Sequence, residues 1–177
     1  MGLFSNTRLE SMEDLFCCQL EDLYDAETRL TEALPAMADA AASPELQTAF
    51  REHLRQTETH VSRLEQIFRL MNKEPERETC QAMKGLISEG EAMVKAEGSC
   101  DVKDAALIAA AQRVEHYEIA GYGTARTFAQ RLGMPEAARL LQETLDEESE
   151  TDKRLTQIAV QGVNVRATAA ASTGGKP

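Results

Sequence analysis

The sequence has no tryptophan, only five prolines in 177 residues and almost no runs of β-branched side chains. Strands have little to build on, and the abundance of Ala, Leu, Glu, Gln and Arg favours helix nearly everywhere. No apolar run approaches the ~20 residues that a membrane span requires. The opening segment MGLFSNTRLESMEDL lacks the long apolar stretch of a signal peptide. Asn6 stands where a myristoylation motif beginning at Gly2 needs Ser or Thr. A soluble, cytoplasmic protein is therefore expected. A clustered basic face is also missing. The 30 acidic residues against 19 basic ones leave a net charge of -11, which repels a phosphate backbone, so nucleic acid is not an expected partner. Four cysteines, at 17, 18, 80 and 100, show none of the paired spacing of zinc or redox sites and read as reduced thiols. There is no Ser-His-Asp order, glycine-rich phosphate loop or dinucleotide fingerprint, so hydrolase, kinase and dehydrogenase readings have no support.

What is present is helix. The length suits one well-buried all-α domain. Periodicity predicts long helices over roughly 11–42, 45–72, 101–133 and 136–161, with a shorter one near 80–97. Ser43 with Pro44 reads as an N-cap and first-turn pair, Gly133 and Pro135 as a stop and a restart, and Asp101 as a cap. After Gln161 the text GVNVRATAAASTGGKP carries no periodic stripe. The expected organisation is a bundle over 1–161 and a flexible tail over 162–177.

Sliding the chain against itself by 91 residues, without a gap, lays the first pair of helices on the second. Glu27 falls on Glu118, Pro44 on Pro135, Glu52 on Glu143, Arg63 on Arg154 and Ile67 on Ile158. The chain therefore reads as two copies of a helical hairpin. Joined by a segment as long as residues 73–100, two hairpins make a four-helix bundle with one long crossover, the ferritin-like topology.

Each helix carries a buried seam with alternating steps of four and three. In the first helix it runs Phe16, Leu20, Leu23, Glu27, Leu30, Leu34 and Met37, and in the second Leu46, Phe50, His53, Thr57, His60, Leu64 and Phe68. In the third, the place between Val114 and Gly121 is taken by Glu118, and in the fourth Glu148 and Thr151 interrupt the leucines. A buried ionised carboxylate costs several kcal/mol unless neutralised. A cation or a proton must share the site. The polar positions keep equal intervals in both halves, Glu27, Thr57, His60 and Glu118, Glu148, Thr151, so the repeat brings them to one level.

This pattern is similar to that of the di-iron and di-manganese carboxylate proteins, which place a Glu on each of two helices and a Glu-x-x-His pair on each of the other two. Glu27 and Glu118 match the single carboxylates. TETH (57–60) and ESET (148–151) match the pairs, with Thr57 in place of a Glu and Thr151 in place of a His. Over about residues 12–160 the text, including DLYDAETRLTEALPAMA, EHLRQTE, VEHYEIAGYG and LLQETLDEE, resembles the bacterial YciE/YciF family of ferritin-like stress proteins. The resemblance implies a ferritin-like bundle, a homodimer and a link to stress responses, with no established molecular activity. The likeness to the di-iron and di-manganese proteins implies a centre for iron or manganese, or for zinc, with Glu27 and Glu118 as terminal or bridging ligands, Glu148 as a bridge and His60 as a terminal ligand. Oxidation of Fe(II) or disposal of peroxide would be its chemistry.

Two divalent ions call for four carboxylates to balance their charge and two imidazoles to complete their shells. Glu27, His60, Glu118 and Glu148 supply three and one, so the expected centre is a reduced one. Second-rank candidates are His53 and Glu115, each about one turn before a seam position of the site, together with Thr57 and Thr151. His53 and His60, two turns apart or ~10 Å along the axis, are too far apart to share an ion. The competing reading is a metal-free structural or interaction bundle. In it, Glu27, Glu118 and Glu148 share protons or accept hydrogen bonds from Tyr24, Tyr117, Tyr122, Thr57 and Thr151. His116 falls off the seam, and DEESE (146–150), apart from Glu148, reads as a solvated face. Phe4, Phe68 and the crossover helix are candidates for a dimer face.

Overall fold

A computed structural model describes residues 9–173, all helix and connecting turns without a strand. The elements are α1 (Met12–Ala40), α2 (Pro44–Leu70), α3 (Gln81–Lys95), α4 (Cys100–Arg131), α5 (Pro135–Ile158), a π-helical turn (Ala159–Val163) and α6 (Asn164–Thr173). Gly2, Asn6 and Phe4 lie outside the described residues. No described helix is long and apolar enough to cross a membrane.

Capping chemistry sets the helix ends. Ser11 and Asp14 form a reciprocal capping box at the start of α1. At the start of α2, Pro44 occupies the first turn, but the Ser43 side chain makes no capping bond. The buried Asp104 of α4 accepts the Ala42 and Ser43 N–H groups instead, both at 2.8 Å, and so clamps the α1–α2 turn. Ser99, not Asp101, holds the cap position of α4. Gly133 adopts φ 71°, a conformation that glycine reaches without steric cost, and lets Met134 N–H return to Ala129 O at 2.9 Å.

The apolar core divides into two clusters. One gathers Leu30 and Leu34 of α1, Leu46 and Phe50 of α2, Leu107 of α4 and Leu155 of α5. The other gathers Phe16, Leu20 and Leu23, Leu64 and Phe68, Tyr122 and Ala125, and Leu141 from the same four helices. Along α2 and α4 the chain passes from the first cluster to the second, and along α1 and α5 from the second to the first. Thus α2 and α4 run parallel, the crossover that joins them carries α3 across α1 and α4, and the ferritin-like topology follows. Burying each large side chain contributes about 1.5–3 kcal/mol. Between the clusters lies a polar layer. Phe68, considered above for a dimer face, is buried edge-on against Tyr24.

The segment after Gln161, expected to be loose, stays helical as far as Thr173. Val163 is buried, and Arg166 Nε donates to Asp101 Oδ1 at 2.8 Å, tying α6 to the start of α4. An Ala-rich stretch with two anchors shows no stripe for periodicity to find.

Candidate metal centre

All four helices send polar side chains into the waist between the two apolar clusters. Glu27 arrives from α1, His53, Thr57 and His60 from α2, Glu115 and Glu118 from α4, and Glu148 and Thr151 from α5, all of them buried. Side-chain ligand atoms of Glu27, His60 and Glu148 lie within 4.8 Å of one another, and so do those of His53, Glu115, Glu118 and Glu148. Glu148 belongs to both groups. The waist therefore holds two adjoining candidate subsites with one shared carboxylate.

His60 Nδ1 lies 3.0 Å from Glu148 Oε1 and 3.3 Å from Glu27 Oε1, without hydrogen-bond geometry to either. Its other nitrogen, Nε2, meets Glu147 Oε2 at 2.8 Å. Glu147 in turn accepts two bonds from the Arg63 guanidinium, at 2.6 and 3.0 Å. The Nε2 contact fixes the ring so that Nδ1 faces the waist. His53 repeats the device in the other subsite. Its Nε2 lies 3.4 Å from Glu115 Oε1 and 3.9 Å from Glu148 Oε2, while Nδ1 lies 3.4 Å from Thr151 Oγ1. Because the Thr151 hydroxyl donates to Glu147 O, its oxygen is left to accept from His53 Nδ1–H. Tyr122 donates to Glu27 Oε1 and orients that carboxylate.

The electrostatics follow from burial and crowding. Burial pushes the Glu118 carboxyl far up, and the charges of Glu27, Glu148 and Glu115 push it further. Glu115 is raised for the same reasons, chiefly burial and Glu148. Burial also raises Glu27, although His60 and Tyr122 oppose it. Burial disfavours a charged His60, yet Glu27, Glu147 and Glu148 hold its pKa well above the ordinary range. In Glu148 burial is outweighed by the two histidines, and the carboxyl is lowered. Glu147, half-buried, is held down to about 2, because His60 and Arg63 outweigh its burial.

Unpaired atoms decide whether cations suit this waist. Nine buried side-chain polar atoms lack a hydrogen-bond partner among the described residues, and eight belong to these six side chains. They are one oxygen each of Glu27 and Glu115, both oxygens of Glu118 and Glu148, His53 Nε2 and His60 Nδ1. Buried groups are rarely left so. Four carboxylates and two imidazoles converge, the set that balances and ligates two divalent ions.

All four leading candidates from the sequence meet here, with His53 and Glu115 beside them. The deficit of one carboxylate and one imidazole expected above disappears. Thr57 donates its hydroxyl proton back to His53 O at 3.0 Å. Thr151 supports His53. Tyr24 turns away to Glu65, and Tyr117 to Asp22 and Cys80, so of the three tyrosines only Tyr122 meets a waist carboxylate. Glu147 was hidden inside the acidic run 146–150, where nothing in the spacing separates it from its solvated neighbours. His116 is exposed, as expected.

Comparison with known proteins agrees with the fold. The protein YciF of Escherichia coli K12 is 45% identical over 160 residues, 90% of this chain and 96% of that one. The crystal structure of that E. coli stress protein superposes with a TM-score of 0.85, covering 88% of this chain and 99% of the other. YcfI from Rhodopseudomonas palustris matches with a TM-score of 0.83 at 36% identity, covering 90% of this chain and all of that one. A Xanthomonas campestris protein at 19% identity shares the fold, with a TM-score of 0.70 over 93% of this chain and 99% of that one. A family model described as a domain of unknown function, DUF892, matches residues 11–168, and the chain belongs to that family.

Proposed function

We propose that the waist is a dinuclear centre for iron or manganese, serving the oxidation of Fe(II) or the disposal of peroxide. One observation carries the reading: eight buried donor atoms on six side chains lack partners and face one another. Glu27 and His60 would hold one ion, His53, Glu115 and Glu118 the other, and Glu148 would bridge. The oxygen-rich donor set with two imidazoles favours iron or manganese over zinc, whose usual sites have four ligands rich in Cys and His. When bound, such a pair supplies electrons in single steps to dioxygen or peroxide.

The chain's own residues do the rest. Two apolar clusters exclude bulk water from above and below. Glu147 with Arg63, and Thr151, hold the two imidazoles in place, support that commonly tunes ligand basicity and metal affinity. Tyr122 keeps Glu27 aimed at His60. The stress role named for the E. coli relative fits chemistry of this kind.

Elemental analysis tests the reading directly. Protein from cells grown with added iron and manganese should carry about two equivalents of transition metal per chain, and reloading metal-stripped protein should raise its melting temperature, because a ligand that binds only the folded state stabilises it. Less than about a tenth of an equivalent, with no change in melting temperature, would leave a metal-free structural or interaction bundle instead.

A further inference from the structure

Away from the waist, Lys73 Nζ donates to Cys17 Sγ at 2.9 Å. Neither residue belongs to the centre. The contact is built into the backbone. At the end of α2, Asn72 turns through the left-handed region (φ 54°), with Asn72 N–H returning to Arg69 O and Lys73 N–H to Phe68 O, both at 3.0 Å. That turn fixes the stem of Lys73 and folds its side chain over α1. Cys17 is buried at 5% exposure, whereas the Lys73 side chain that meets it is 41% exposed. The other cysteines stand differently. Cys80 caps α3 and meets Tyr117, Cys18 is half-buried and Cys100 is exposed.

We propose that Cys17 and Lys73 are a modification site, where hydrogen peroxide joins Sγ to Nζ in a reversible sulfenamide that staples α1 to the start of the crossover. The atoms balance in two steps. Sγ attacks one peroxide oxygen, the O–O bond breaks, and the departing hydroxide leaves as water with the thiol proton, giving a Cys17 sulfenic acid. Nζ gives its ammonium proton to solvent and, as the neutral amine, attacks Sγ. The S–N bond forms, the S–O bond breaks, and the hydroxide leaves as water with one amine proton. The sum consumes one thiol, one amine and one peroxide, and yields one sulfenamide and two waters. Sulfur loses two electrons and peroxide gains them. Sulfenic acids condense with a nearby nitrogen in this way, and here the nitrogen is already in contact.

The test treats the full chain with hydrogen peroxide and reads intact mass and digested peptides before and after a thiol reductant. The expected product is lighter by two hydrogens, contains a peptide joining residue 17 to residue 73, and reverts on reduction. A disulfide also removes two hydrogens, so variants separate the two. Cys18→Ser should keep the product, and Lys73→Arg, which retains the positive charge, should lose it. The proposal is overturned if Cys17 stops at unlinked sulfenic or sulfinic acid. It is overturned equally if the lighter species survives in Lys73→Arg, or if the linked peptide is missing from the oxidised unsubstituted chain.

Discussion

His60 and Glu147 face each other across the α2–α5 interface, Nε2 to Oε2, at 2.8 Å, and the same carboxylate holds Arg63 through two bonds. A carboxylate on the outer nitrogen of a ligating histidine fixes the ring and makes its inner nitrogen a better donor. Glu147→Gln should therefore weaken metal binding by roughly 10- to 100-fold, the usual loss for such partners. Calorimetric titration with Mn(II) reads the effect, and Glu150→Gln on the exposed side of α5 is the control. Equal affinities in the two variants would remove Glu147 from the site.

Metal binding should also release protons. Glu115 and Glu118 are raised, first by burial and then by neighbouring carboxylates, so without a cation they hold their protons more tightly than ordinary carboxylates. Ligation requires their carboxylate forms. Raised pKa values put the protons on the metal-free side of the equilibrium, and affinity must increase as pH rises toward those values. A titration in weakly buffered solution should turn more acidic with each addition of metal. If pH stays constant and affinity is the same in mildly acidic and mildly alkaline buffer, these two carboxylates do not ligate.

Much of this was legible because a helix has a strict period. Every position of the α2 seam, from Leu46 through His53, Thr57 and His60 to Phe68, is buried as its spacing predicts. The 91-residue repeat also has a physical imprint. Arg154 pairs with Glu52, and Arg63 lies 3.7 Å from Glu143, the matching pair under the repeat. Other features were hidden for particular reasons. Two turns between His53 and His60 exclude a shared ion, but the waist holds two groups of candidate ligands along its length, and each ring belongs to one. Glu115 sits three residues before Glu118, outside a seam one residue wide, and so ranks second among the candidates. Glu147 depends on Arg63 of another helix, a contact that sequence spacing does not encode.

Asp25 should set part of the acid limit of stability. Almost fully buried on α1, it accepts from Arg29 Nε at 2.6 Å, from Arg77 Nε at 3.1 Å and from Cys80 N–H at 2.8 Å, tying the crossover to the bundle. Burial disfavours its charge, but bonds from Arg29, Cys80 N–H and Arg77 outweigh burial and lower its pKa. A lowered folded pKa gives stability that is fully present above the unfolded value, about 3.9, and lost as pH falls through the folded one. Asp25→Asn should cost about 2–4 kcal/mol at neutral pH, the scale for removing one member of a buried charged network. Urea titrations should also show a shallower loss of stability below about pH 4 in the variant. Parallel acid limbs would assign that loss to other carboxylates.

The assignment of ligands on α2 can be decided by two substitutions. Thr57 occupies the position where the Glu-x-x-His pattern carries its carboxylate, but it brings only a weak neutral hydroxyl, whose proton goes to His53 O at 3.0 Å. His53 points Nε2, an unpaired buried atom, at Glu115 and Glu148. Thr57→Val keeps the shape and removes only the back-bond, so metal content should match that of the unsubstituted chain. His53→Ala removes the sole imidazole of one subsite, and stoichiometry should fall from about two ions to about one, since the Glu27, His60 and Glu148 group keeps its donors. Should Thr57→Val lose an ion while His53→Ala retains both, the second subsite would draw on the threonine side of α2 rather than on His53, and the pairing of one imidazole with each subsite would fail.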